Sequence, residues 1–409
     1  MRNVTRVPWF FLIFSFLVYF ISFGNVMAGD NVWSEVWPNA TTNPVNTLAL
    51  NPSNLNSVYV GTQQGGVFNS TNGGTSWTSL NTGLASDIII TSIVIDPTHN
   101  AIYAADFNSG NCVNKTVNEG SSWSHSSSGL TNGFCNVLAV DSTNNIVYVA
   151  TFGGVNGGVF SSVDGGTTWT PIVTGLPDAS STERKYTSLV VLAGNILYAG
   201  LEGDGVYKTT NGGASWSAVN TGLTNTEVHS LIVDPSDSNV LYAGTNGGLF
   251  KTTNGGASWS AVNTGISNAE VFSLALDSTR GVIYAGICDG TGGVCNGAQG
   301  IESVYRSADG GSNWSAITNP NNDQAFFLAR VLALNTTENI LYGAGNNSLF
   351  SVVSTGSSSG GGGSSGSGGG SGGCALFENG DLSTQKACYF FLSLAMFFSF
   401  KILRKIHQA

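Results

Sequence analysis

Apolar positions along the middle of this 409-residue chain fall in short runs that alternate with polar ones, and clusters of Gly, Asn and Ser close each run. A period of two marks half-buried strands, and no helical period is sustained between them. Seven aliphatic-Tyr pairs punctuate the runs: Val58-Tyr59, Ile102-Tyr103, Val147-Tyr148, Leu197-Tyr198, Leu241-Tyr242, Ile283-Tyr284 and Leu341-Tyr342. Around each pair the same order is expected: an inner strand A such as 47–50, a strand B with the Tyr, a strand C such as 247–251, then a strand D. Repetition on this scale means one supersecondary unit copied around an array.

Six of the D strands follow nearly the same eight residues, at 70–77, 116–123, 162–169, 209–216, 252–259 and 307–314. Their tryptophans are 46, 46, 47, 43 and 55 residues apart, and the stretch 208–222 returns letter for letter at 251–265. Such segments must turn tightly, because Gly supplies a positive φ and an Asn or Asp side chain can bond backbone two residues on. Asn72, Asn118, Asp164, Asn211, Asn254 and Asp309 hold the Asx position, ahead of Trp77, Trp123, Trp169, Trp216, Trp259 and Trp314. Only two are aspartates, which a turn tolerates and acid-base chemistry would not, so these twelve residues are read as structural.

The pattern Ser/Thr-x-Asp/Asn-x-Gly-x-x-Trp resembles the Asp-box, or BNR repeat, of β-propellers in sialidases, xyloglucanases, sortilin and photosystem II assembly factors. The resemblance covers residues from about 31 to 353 and implies a propeller. Seven Tyr-marked strands with six boxes fit if the last blade borrows its fourth strand from the N-terminal segment 31–37. The expected fold is therefore all-β, a single seven-bladed β-propeller of four-stranded blades closed by an N-terminal strand. Its blades span about 46–82, 89–126, 135–172, 186–219, 228–262, 271–317, and 328–353 with 31–38.

Alternating strand direction puts the A–B turns and the boxes on one face, and the B–C and D–A loops on the other. The extra residues gather on that second face, at 105–112, 150–158, 174–187 and 286–303. Variable loops on a rigid frame indicate a binding face, with tolerated surface variation as the plainer alternative. Its candidate ligand-binding residues are Asp106, Phe107, Phe152, Glu183, Arg184, Tyr186, His229, Phe272 and Arg330. The inner-strand position held by Asn46, Thr91, Asn136, Thr187, His229, Phe272 and Arg330 changes from blade to blade, as a channel mouth adapted to a ligand would, or as blade-specific packing would.

A glycoside hydrolase would need an opposed carboxylate pair, for which these loops offer Glu202, Asp204, Asp289 and Glu302. Xyloglucanase-type relatives enclose their cleft between two propellers, however, and this chain has one. Sialidase activity is rejected: the resemblance would require an arginine cluster and a tyrosine nucleophile, which Arg184, Arg280, Arg306 and Arg330 do not assemble. Metal sites lack a spacing motif, since His99, His125, His229 and His407 are scattered. No cofactor is expected, and calcium on Asp/Asn loop oxygens would be unspecific. A net charge of −10 argues against nucleic acid as a partner.

The chain ends speak to location. Arg2 and Arg6 precede an apolar run to Phe23, and Ala28 offers small-residue cleavage, so 1–28 reads as a signal peptide, with an uncleaved anchor as the alternative. Residues 29–353 form the propeller, and 354–373 a Gly/Ser linker with a reach of about 25 Å. Residues 374–409 carry Cys374, an apolar run and a basic end, in an order that resembles bacterial C-terminal sorting signals; a plain membrane tail is the alternative. An oxidising compartment would allow the pairs Cys112–Cys135 and Cys288–Cys295. The expected protein is thus exported and membrane-tethered or released, a monomer that binds a glycan or protein ligand without catalysis, with a glycoside hydrolase or an assembly or adhesion factor as alternatives.

Overall fold

The computed structural model describes residues 33–353 apart from 38–42, 109, 131–133, 153–156, 178–184, 267–269, 289–301, 318–330 and 346–347. Its strands form seven separate four-stranded sheets, and every strand pair is antiparallel. Blade one runs through Val45–Asn51, Asn54–Thr62, Val67–Ser70 and Thr78–Ser79, and blades two to six repeat that order. Blade seven has Val331–Asn335, Ile340–Gly345 and Ser348–Val353, and takes its outer strand from Ser34–Glu35. Ser34 pairs with Ser351 and Glu35 with Phe350, so the ring is closed by strands from both ends of the propeller, and this is a seven-bladed β-propeller. Each inner strand A packs against the next, and that of blade seven against that of blade one.

The six boxes are the C–D turns. In each, the amide of the second Gly-position residue donates to the leading Ser or Thr hydroxyl, as Gly74 does to Ser70 at 2.8 Å and Gly213 to Thr209 at 3.0 Å. The Asx oxygen reaches further than the two residues expected: it accepts the amide four residues on, Ser76 to Asn72 at 2.9 Å and Thr168 to Asp164 at 2.9 Å. The hydroxyl before it takes the nearer amides, which pushes the Asx group to the far side of the turn. The second Asx side-chain atom bonds the residue four positions on in both kinds of box. Asn72 donates its amide to Ser76 Oγ, whereas Asp164 Oδ2 accepts from Thr168 Oγ1 and Asp309 Oδ2 from Asn313 Nδ2.

The tryptophans join blades. Trp123 Nε1 donates to Leu80 O at 2.7 Å, Trp216 to Ile172 O at 2.8 Å, and the other four box tryptophans repeat the bond into the preceding blade. Trp33 stands just before the borrowed strand and packs beside Ile317 of blade six, filling the seventh such position without a box. The strand B tyrosines reach the other way. Tyr103 donates to Gly165 O, with Lys115 Nζ over its ring at 5.5 Å and bonded to the same carbonyl.

No helix among the described residues is long and apolar enough to cross a membrane. The expected signal peptide with Ala28, the linker, and the terminal segment with Cys374 lie outside the described residues.

Candidate functional site

The variable inner-strand position has a specific geometry. Asn46, Thr91, Asn136, Thr187, His229 and Phe272 are each the extra residue of a β-bulge, where strand A slips one register against strand B. A bulge re-aims one side chain without unpairing the strand, and so frees that position from the packing rule of its neighbours.

In the first four blades the bulged residue is a staple to the next blade. Asn46 Nδ2 donates to Ile90 O at 3.1 Å, Thr91 Oγ1 to Cys135 O at 3.0 Å, Asn136 Nδ2 to Tyr186 O at 2.5 Å, and Thr187 Oγ1 to Val228 O at 2.8 Å. Blade-specific packing thus accounts for these four, and the channel-mouth reading does not. Blades five and six depart from the pattern. The His229 imidazole lies against the Phe272 ring, with centroids 5.1 Å apart and planes tilted 34°. His229 Nε2 is shielded from solvent and makes no hydrogen bond.

Two charged groups act on His229. Lys185 Nζ stands 3.1 Å from Glu202 Oε2, on the paired strands of blade four. Burial lowers the pKa of His229 and the Lys185 charge adds to this, while the Glu202 charge and a side-chain hydrogen bond with Asn246 oppose it. The imidazole therefore gives up its proton more readily than an ordinary histidine. Glu227 bridges to Glu202 through backbone, and burial raises the pKa of Glu270.

A second feature lies on the same loop face at blades two and three. Phe107, in a B–C loop, has its ring centroid 5.5 Å from those of both Phe134 and Phe152, tilted 51° to the first and 80° to the second. Phe134 is 48% exposed. Their backbones are fixed: Phe107 N donates to Ile89 O and Phe152 N to Phe134 O at 2.7 Å. The disulfide Cys112–Cys135, with Cα atoms 4.9 Å apart, ties the loop of Phe107 to the strand beginning beside Phe134. The result is an apolar patch with little freedom left to lose on binding.

The remaining candidates divide. Asp106 is fully buried and accepts the Asn108 amide at 2.9 Å, which holds its loop in shape. Tyr186, expected on the ligand face, is a correction: its side chain is 1% exposed and belongs to the core between blades three and four. Glu202 and Asp204 occupy one tight turn of blade four and cannot oppose each other across a cleft. Glu302 lies on a strand opposite Cys288, but its side chain, and all of Glu183, Arg184, Asp289 and Arg330, lie outside the described residues. Cys288 is disulfide-bonded, and its expected partner Cys295 also lies outside them. Among the described residues, no three His, Cys, Asp or Glu side chains gather as a metal site. Phe134, Glu227 and Glu270 were not singled out from sequence. Phe134 alone had a signal, its place directly before Cys135.

Solved structures share the fold at low identity. YCF48 from Cyanidioschyzon merolae is 15% identical with a TM-score of 0.60, over 79% of this chain and 98% of that one. YCF48 bound to D1 peptide is 16% identical at 0.58, over 80% and 98%. The extracellular domain of the hybrid two-component system BT4673 from B. thetaiotaomicron is 14% identical at 0.59, over 78% of this chain and 39% of that one. No curated protein matches the sequence. A family model described as the DUF6242 beta propeller domain matches residues 139–361, more than half of the chain, and the protein belongs to that family.

Proposed function

We propose that this is an exported, non-catalytic binding propeller that holds a protein or glycan ligand on its B–C/D–A loop face. The observation that carries the reading is the Phe107–Phe134–Phe152 cluster, in which a half-exposed Phe134 rests on two part-buried rings and the loops are fixed by backbone bonds and a disulfide. Exposed aromatic side chains cost free energy in water, and rigid ones give most of their contact area to a ligand. Two similarly folded proteins agree with this use: one is seen with a peptide bound, and another is an extracellular domain of a sensor protein. Membrane tethering through 374–409 belongs to the same proposal.

The test is capture of ligands from a glycan array and from extracts of the cell surface by the purified protein, alongside Phe134→Ala. Because Phe134 is half exposed, its truncation should leave the melting temperature nearly unchanged and reduce capture at least tenfold. Capture unaffected by Phe134→Ala and Phe107→Ala, or no capture at all, would refute the proposal.

A further inference from the structure

We infer that Asn246, at the tip of the B–C hairpin of blade five, is a site of self-modification: its side chain closes onto the Gly247 amide nitrogen and opens again as aspartate or isoaspartate. The inference does not depend on what the loop face binds.

The sequence offers four equal candidates among the described residues. Thr-Asn-Gly-Gly occurs at 71–74, 210–213, 245–248 and 253–256, so Asn72, Asn211, Asn246 and Asn254 have the same immediate neighbours. Glycine after asparagine favours the reaction, because without a Cβ its nitrogen is easily approached and its backbone turns freely. Only the fold distinguishes the four.

Three of them stand in boxes, where both reacting groups are held. Asn72 Oδ1 accepts from the Ser76 amide and the Ser70 hydroxyl, each at 2.9 Å, and its Nδ2 donates to Ser76 Oγ at 2.9 Å. These bonds direct the side chain toward the residue four positions on, away from the Gly73 nitrogen that would attack it. That nitrogen is itself engaged, donating to Asn56 O at 2.9 Å. Asn211 and Asn254 repeat these bonds, with Gly212 N on Asn195 O and Gly255 N on Asn239 O. Reaction there requires the box to open first, at a cost in free energy.

Asn246 is held far less. It is exposed, and with Gly247 it forms the two-residue tip between the paired Thr245 and Gly248. Its backbone amide donates to Glu227 O at 3.0 Å, while its side chain has a hydrogen bond with His229 in place of the three box bonds. Gly247 N donates to the Thr245 hydroxyl two residues back at 3.1 Å, and not to a carbonyl of another turn. A hairpin tip opens locally without disturbing the blade beneath it.

In the reaction a bond forms between Gly247 N and Asn246 Cγ and the Cγ–Nδ2 bond breaks, while the Gly247 amide proton passes through water to the departing ammonia. Water then opens the succinimide at either carbonyl. The balance is asparagine plus water giving an acid plus ammonia, with no redox change. Either product adds a negative charge beside His229, and isoaspartate also adds a methylene to the main chain of the hairpin. The charge of this face therefore changes with the age of the molecule.

The test is incubation of the purified protein in warm, mildly alkaline buffer, with conversion at each asparagine located by fragmentation mass spectrometry of its peptides. Asn246 should convert about tenfold or more faster than Asn72, Asn211 and Asn254 in the folded protein, as the box bonds must open before those three react. In urea all four should convert at similar rates, and Asn246→Gln should remove the fast event from the folded protein. Comparable rates at all four in the folded protein, a box asparagine ahead of Asn246, or no conversion at Asn246 in the time that unfolded protein needs to convert all four overturns the inference. So does the same ranking after unfolding, because the flanking sequence would then set the rates without the fold.

Discussion

The Tyr342 hydroxyl donates to the carbonyl of Gly73 at 3.3 Å, although the two are 269 positions apart in the chain. Tyr103 meets Gly165, Tyr198 meets Gly255 and Tyr242 meets Gly310 in the same way, each reaching the box of the following blade. The last blade therefore recognises the first as any blade recognises its successor, and Trp77 adds its bond to Val36 O across the same seam. Burial raises the pKa of the Tyr342 phenol, which keeps it protonated as a donor. Tyr342→Phe should lower unfolding stability by about 1 kcal/mol, and Tyr103→Phe by a similar amount, in urea titrations. A seam variant with no loss beside a clear loss at Tyr103 would mean that the closure is held by its other contacts, the Trp77–Val36 bond among them, without this hydroxyl.

Glu119 holds a positive φ of 57°, in the position where the other five boxes have Gly73, Gly165, Gly212, Gly255 and Gly310 at 64–69°. Side chains with a Cβ pay for that region, by about 1 kcal/mol. Glu119→Gly should accordingly stabilise the protein by roughly 0.5–1 kcal/mol, since the turn itself does not change. Thermal and urea unfolding would show it, and a loss of stability would mean that the Glu119 side chain has a compensating contact.

Much of this architecture was legible in the sequence because it repeats. The Tyr pairs and the boxes recur at spacings that a ring of four-stranded units explains, and the borrowed strand followed from one missing box. The inner ring was not legible in the same way. Asn46, Thr91, Asn136 and Thr187 looked like His229 and Phe272, because sequence shows variation but not the bulge that aims each side chain at its neighbour's carbonyl. Tyr186 misled for a related reason: it sits next to an insertion, yet the register of its strand turns the ring inward, into the core. Phe134 was passed over because its cluster joins three loops that are distant in sequence.

The two aspartate boxes predict a response to acid. Asp164 accepts from Thr168 through backbone and side chain and from Ser162, and its pKa is lowered to about 2; Asp309, bonded to Asn313 and Ser307, is likewise at about 2. Both start from an ordinary value of 3.8. A depressed folded pKa contributes stability above the unfolded value, and that contribution is lost as pH falls from about 4 through about 2. Melting temperature should therefore drop across this window, and Asp164→Asn with Asp309→Asn should flatten the drop while lowering stability at neutral pH, where the ionised carboxylates contribute. An identical acid profile in the double variant would assign the loss to other carboxylates.

The disulfide Cys112–Cys135 closes a loop with a sequence separation of 23 residues and holds the phenylalanine cluster across two blades. Both cysteines are buried, so serine at both positions leaves small polar groups in an apolar cluster as well as opening the loop. The paired Cys112→Ser and Cys135→Ser variant should lose about 2–4 kcal/mol of stability. Its effect on binding separates two roles. If the bridge serves only the fold, capture of the ligand should be unchanged at a temperature where the variant is fully folded. If it keeps the three rings preorganised, capture should weaken there while far-ultraviolet circular dichroism stays native, since the ordering that the bridge had supplied must then be met from the binding energy. The second outcome is expected, because Phe134 is joined directly to Cys135 and the Phe107 loop returns through Cys112, so the bridge is the one covalent link between the two loops.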